Sequence, residues 1–227
     1  MTGLFLQVRV DSTRLPGKAL LPLVGKPMIS HAMESLARVE ADIHALVTDE
    51  GSRDLLLPLA RDAGFEVFVG SKLDVLRRYC DAARHFKAET VIRATGDNPL
   101  VSRSLAEGLL GEHRTREADY SGYFGMPLGT GVEIIRSSAL FRAEKETRES
   151  YDREHVTPFL YRNPQLFFLH RPLAARVFRS NFRVTVDTKE DFRRVERIFR
   201  DIYRGSPPEI EELIEWIRKN PPKKDEG

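Results

Sequence analysis

Residues 3–28 read GLFLQVRVDSTRLPGKALLPLVGKPM. The apolar run at 4–10 is too short for a helix and predicts a buried first β-strand. Directly after it a loop gathers Arg9, Ser12, Thr13, Arg14, Gly17 and Lys18. In an open α/β sheet, ligands lie in the crevice outside the carboxyl ends of the strands. Cations, hydroxyls and pliable backbone at that position predict a cradle for a polyphosphate, held by charge-assisted hydrogen bonds and backbone N–H groups. Two familiar phosphate loops are absent. Ser12 stands where a Walker A loop needs its first glycine and Ala19 follows Lys18, and no G-x-G-x-x-G follows the strand. Taken alone, these residues also fit a solvated polar loop turned by Pro16-Gly17.

Outward from this stretch, helical and strand patterns alternate. Pro27 opens a helix to about 39, followed by a strand at 43–48, a helix at 52–63 stopped by Gly64, and a strand at 66–69. A helix at 73–86 sets Leu73, Leu76, Tyr79, Cys80 and Ala83 on one face. A strand at 90–94 ends in Thr95-Gly96-Asp97-Asn98-Pro99, and Ser102 caps a helix to about 113. This order predicts an α/β fold, a mainly parallel sheet with helices on both faces. The second half is less regular. Strands lining a pocket are expected within 118–135, helices at 137–144 and 151–161, strands at 166–170 and 183–186, and amphipathic helices at 189–203 and 206–220. One domain spanning 1–220 is expected, with a charged, disordered tail at 221–227.

Composition narrows the function classes. The 227 residues carry 36 Lys and Arg against 34 Asp and Glu, a net charge of +2, too balanced for a nucleic-acid binder. The single cysteine, Cys80, excludes an internal disulfide and a cysteine-built metal site, and fits a reducing compartment. No stretch approaches the ~20 apolar residues of a membrane span, and no signal segment precedes the first strand, so a cytoplasmic protein is expected.

Arg9, Ser12, Thr13, Arg14, Leu15, Pro16, Gly17 and Lys18, followed by Gly25, Lys26 and Pro27, form a long ordered match. The segment resembles the first motif of the cytidylyltransferase superfamily that makes CMP-sugars from acidic sugars. Its nearer members are of the spore-coat-polysaccharide-biosynthesis type, with the 3-deoxy-manno-octulosonate cytidylyltransferases further off. Asp11 departs from the pattern, standing where the family has a small residue, and a carboxylate beside phosphates would repel them unless it faces away or meets a metal ion.

Further segments extend the resemblance in order to about residue 199. Asp97 reads by itself as an Asx turn; the resemblance makes it a ligand of Mg²⁺ held by the triphosphate. Asp187 or Thr188 reads as an N-cap boxed by Glu190 or Asp191, while the resemblance makes Asp187 the second metal ligand. Glu133 resembles a residue near the sugar site. Arg78, in Asp74-Val75-Leu76-x-Arg78-Tyr79, resembles a nucleotide contact, although a salt bridge would explain it equally, and Arg93 is a further nucleotide candidate. Glu154-His155-Val156-Thr157-Pro158 also matches the spore-coat type, with His155 read as a hydrogen-bonded structural histidine.

The resemblance implies the nucleotide-diphosphosugar-transferase (Rossmann-like) fold and a Mg²⁺-dependent transfer from CTP to a sugar acid, releasing pyrophosphate. Lys18, Arg14 and Arg9 would act on the triphosphate, with Ser12, Thr13 and Gly17 beside them. It also implies a homodimer built on the 118–170 region, and a role in surface polysaccharide assembly. Two rivals stand beside this reading. A glycosyltransferase or other-nucleotide transferase of the same fold lacks its usual Asp-x-Asp here, and a non-catalytic binding relative would find support in Asp11.

Overall fold

Leu4 and Leu6 point to one side of the first strand and Phe5 to the other, all fully buried, so this strand lies in the middle of the molecule. The computed structural model describes residues 1–221; of the tail expected to be disordered, residues 222–227 lie outside the described residues. In chain order the elements are β1 (Thr2–Gln7), β2 (Pro22–Leu23), β3 (Lys26–Pro27), α1 (Met28–Leu36), β4 (Ile43–Thr48), α2 (Glu50–Asp62), β5 (Glu66–Val69), α3 (Val75–His85) and β6 (Thr90–Thr95). There follow α4 (Arg103–Arg116), β7 (Tyr120–Gly122), β8 (Glu133–Arg136), α5 (Ser137–Glu146), α6 (Ser150–His155), α7 (Pro158–Arg162), β9 (Leu169–His170), α8 (Lys189–Ile202) and α9 (Ile210–Lys219).

Seven strands form one sheet in the order β5-β4-β1-β6-β8-β7-β9, and β2 pairs with β3 in a separate hairpin. β1 runs parallel to β4 and β6, and β4 parallel to β5, while β8 is antiparallel to both β6 and β7. The expected mainly parallel sheet is therefore present, with β8 the reversed strand. Period-2 alternation sorts its side chains. Leu46, Ile92 and Ile134 join Leu4 and Leu6 beneath α1, α2 and α4, while Val47, Val91 and Ile135 join Phe5 beneath α3 and α5. A third cluster packs α8 and α9 against Leu15, Leu23 and Met28, fastening the far end of the chain to the loop after β1.

Several expected elements differ. The first strand stops at Gln7 rather than at 10, because the Val10 N–H turns to Ser52 Oγ (3.0 Å) and the Val10 carbonyl accepts from Ser12 and Gly17. The helix expected at 151–161 is two helices, broken at Val156 and restarted at Pro158. Residues 183–186 are not a regular strand; Val184 N donates instead to the Leu128 carbonyl of a neighbouring excursion. The strand at 166–170 contracts to β9, and the last helix begins at Ile210, past Pro207-Pro208. Leu73 is 82% exposed rather than core, since Asp74 caps α3 and leaves it outside. The capping of α8 is as the sequence predicts, with Thr188 and Asp191 forming a reciprocal box.

His113, near the end of α4, is buried with Nδ1 2.8 Å from Ser121 Oγ on β7. Burial, with Arg136 nearby, pushes this imidazole down to about 4. An unfolded histidine, titrating near ~6.5, takes up a proton that the folded state refuses, so its contribution is fully present above that pH and is lost as the pH falls towards the folded value. In urea unfolding compared at pH 7 and pH 4.5, His113→Gln is expected to remove about 2 kcal/mol of the acid-induced loss seen in the parent. His31, also buried and shifted down, remains in both proteins and cancels.

Candidate active site

β1 and β6 are adjacent parallel strands, and both end at the same rim of the sheet. Gly96 lets the two exits meet: its N–H donates to the Gln7 carbonyl (2.7 Å), and a Cβ there would lie 2.9 Å from Val8 Cβ and 2.7 Å from Ile29 Cδ1. Beyond this point opens a cavity of about 250 Å³. Arg9, Ser12, Thr13, Arg14, Lys18, Arg78, Arg93, Asp97 and Asp187 line it. Of the residues expected to contact nucleotide, sugar or metal, Gly17 and Glu133 are not in this lining. Gly17 acts through its backbone, a left-handed φ of 68° that turns the loop into the short helical turn carrying Lys18.

Lys18 is the electrostatic centre. Its Nζ donates to the Val186 carbonyl (2.6 Å) and Asp187 Oδ1 (3.0 Å), and lies 3.5 Å from Asp97 Oδ2. Asp187 also meets Arg14 (2.9 Å) and Arg183 (2.6 Å), while Asp97 accepts from Thr95 Oγ1 (2.6 Å). The two carboxylates, brought from separate chain segments, converge on one cationic atom. Two carboxylate ligands of this kind suit a hard divalent cation only if phosphate and water oxygens supply the rest of its shell, since no group of three or more His, Cys, Asp and Glu surrounds a point among the described residues.

Arg78 forms the inner wall. It is 1% exposed, and among the described residues its Nε and Nη1 have no hydrogen-bond partner. Burial lowers its pKa, as expected of a guanidinium without a counter-ion beside it. The salt bridge offered as an alternative is therefore absent. Gly70 makes room for it: a Cβ there would come 2.8 Å from Arg78 Cγ. Buried donors of this kind are costly unless an acceptor enters the cavity.

Glu133 is not among the residues that line the cavity. It holds Arg93 Nη1 (2.5 Å), Tyr120 OH (2.6 Å) and Thr157 Oγ1 (2.9 Å), which occupies its oxygens and makes it a positioning residue for Arg93. The same Thr157 anchors a tight turn. Its N–H donates to the His155 carbonyl (2.9 Å) across Val156, which is buried at φ 74° and ψ −56°. A β-branched residue in that conformation is strained by about 1–3 kcal/mol. The turn presents Glu154 and His155 to the cavity, so His155 is exposed and tilted against Tyr151 (4.4 Å between centroids) rather than serving as a hydrogen-bonded structural histidine. Gln7 and Thr95 are polar lining residues not anticipated, and Val8, Ala19 and Val75 complete the apolar part.

Asp11 faces away. It pairs with Lys72, and more distantly with Arg9 (3.8 Å), outside the cavity wall. The Lys72 hydrogen bond holds its carboxyl below the usual range. In calorimetric titration with inorganic triphosphate, Asp11→Ala should stay within about threefold of the parent, as for an exposed ion pair. Lys18→Ala should lose about tenfold or more.

Comparison with known proteins matches this picture along the chain. The cytidylyltransferase family model covers residues 4–215. The spore coat polysaccharide biosynthesis protein SpsF of Bacillus subtilis is 31% identical over 226 residues, spanning 95% of this chain and 93% of that protein. The structure of a cytidylyltransferase from Leptospira borgpetersenii superposes with a TM-score of 0.90 at 28% identity, covering 97% of this chain and 94% of the other. A CMP:2-keto-3-deoxy-manno-octonic acid synthetase solved with CTP shares the fold, with a TM-score of 0.69 at 17% identity over 88% of this chain and 98% of its own.

Proposed function

The chain belongs to the cytidylyltransferase family, and on that premise we propose that it joins CTP to a sugar acid of the 3-deoxy-octulosonate or neuraminate kind. The observation that carries this reading is the convergence, on one cavity at the ends of β1 and β6, of the cationic loop, two carboxylates and a buried unpaired arginine. The triphosphate lies against Arg9, Arg14 and Lys18, which neutralise it and the charge that grows on the departing pyrophosphate. Ser12, Thr13 and the backbone turned at Gly17 complete the cradle. The sugar hydroxyl attacks the α-phosphorus, the bond to the β-phosphate oxygen breaks, and the hydroxyl proton passes to solvent. Positioning and electrostatics supply most of the rate.

Asp97 and Asp187 would hold Mg²⁺, which when bound polarises the α-phosphate and lowers the pKa of an oxygen nucleophile. Lys18, lying between these carboxylates, would offer its ammonium to the phosphates. Arg78 reads the base. Its unpaired donors suit the O2 and N3 acceptors of cytosine, whereas uracil presents a donor at N3. The outward pairing of Asp11 removes the main support for a non-catalytic relative.

On this reading the protein is a single cytoplasmic domain over 1–220 that supplies activated sugar for surface polysaccharide, and no described helix is long and apolar enough to cross a membrane. A homodimer would form through the 118–170 region, where Tyr151 is 56% exposed. Calorimetry with CTP, UTP, ATP and GTP, each with and without Mg²⁺, tests the proposal. Metal-enhanced binding selective for CTP is expected, and Arg78→Lys should weaken it by about ten- to a hundredfold while narrowing the gap to UTP. Equal binding of all four nucleotides, or release of no pyrophosphate across a panel of sugar acids, would overturn it.

A further inference from the structure

After β7 the chain leaves the sheet, and the excursion it makes pairs with residues 172–184. Phe124 N donates to Pro172 O, Ala174 N to Phe124 O, Ser180 N to Gly125 O, and Leu128 N to Phe182 O. The surface built there is unusual in two respects. It exposes Phe124 (47%), Leu128 (57%), Leu173 (43%) and Val177 (56%). Phe124 is the register partner of Leu173, and Leu128 of Arg183, so each pair stands side by side on the surface.

The two segments that build it also carry charge of one sign. Neither 120–132 nor 163–186 contains an Asp or Glu, whereas Arg171, Arg176, Arg179 and Arg183 fall in the second stretch. Arg183 is engaged by Asp187. Arg171 lies over the Tyr161 ring and Arg179 Nε donates to the Ala174 carbonyl, and neither these two nor Arg176 has a carboxylate partner among the described residues. Elsewhere on the molecule exposed arginines commonly sit beside an acid, as Arg53, Arg84, Arg103 and Arg142 do.

We propose that this face docks an acidic, partly apolar segment of a partner protein. Exposed apolar side chains grouped with unpaired cations mark an interaction surface, and they call for a ligand offering carboxylates together with apolar contacts. The cations are all arginine. Arginine is enriched and lysine depleted in protein interfaces, because the planar guanidinium meets carboxylates in a fork, whereas an anionic lipid surface attracts lysine equally well. The homodimer proposed above is placed around Tyr151 on α6, which leaves this face for a different partner.

The test uses the full chain and a fluorescently labelled copolymer of glutamate and tyrosine as probe, followed by anisotropy. The double variant Arg176→Ser/Arg179→Ser, and separately Phe124→Ser/Leu173→Ser, should each weaken binding by about tenfold or more. Removing the same charge from α8, as Arg193→Ser/Arg200→Ser, should change it by less than about twofold. Thermal unfolding of the variants verifies that they fold. An equal loss in the α8 variant would overturn the proposal in favour of general charge attraction. Tighter binding to phosphatidylserine vesicles than to the copolymer would overturn it in favour of a membrane. Sedimentation showing that the face variants split a dimer would overturn it in favour of a second copy.

Discussion

The ammonium of Lys18 holds together three parts of the chain that share no secondary structure. It is largely withdrawn from water, and a charge in that position needs acceptors; Val186 O and the carboxylates of Asp187 and Asp97 supply them. The carboxylates in turn need the cation, since two negative groups this close would repel without it. Arg14 and Arg183 add their charges at Asp187, and Val186 N closes the ring by donating to the Asp97 carbonyl. Four residues later, Asp191 Oδ2 accepts from the backbone of Asp187 and Thr188, fixing the start of α8 against this knot. The site is thus held in shape by opposite charges in contact before any ligand arrives.

The sheet supplies a rigid rim for that knot. β1 and β6 end in register, Gly96 allows their exits to touch, and the layers of helices leave the carboxyl ends open. On the other wall, strain is balanced against a network. The uncommon backbone at Val156 persists because Thr157 is tied to Glu133, itself tied to Arg93 and Tyr120, and Val156 has no freedom to relax inside its packed surroundings.

Much of this was legible in the chain. Short apolar runs marked β1, β4 and β6, Gly17 and the cations after β1 marked a loop that lines the cavity, and Thr188 with Asp191 marked the start of α8, because each depends on local chemistry. Readings failed where a distant segment decided the outcome. Residues 183–186 alternate like a strand, yet their backbone partners sit in an excursion near residue 128. Arg78 lies on a helix of ordinary appearance, and only packing against Gly70 buries its guanidinium without a partner. His155 turns into the cavity because of a backbone conformation that no pattern of residue types announces.

The pairing of Lys18 with Asp187 spans 169 positions. A ribosome releases the cationic loop well before the carboxylate, and the stretch between them contains almost the whole sheet. Closing so long a loop is entropically expensive and slow, so the contact follows the assembly of the strands that bring its ends together. The charged lining of the pocket is therefore acquired only after the sheet that frames it.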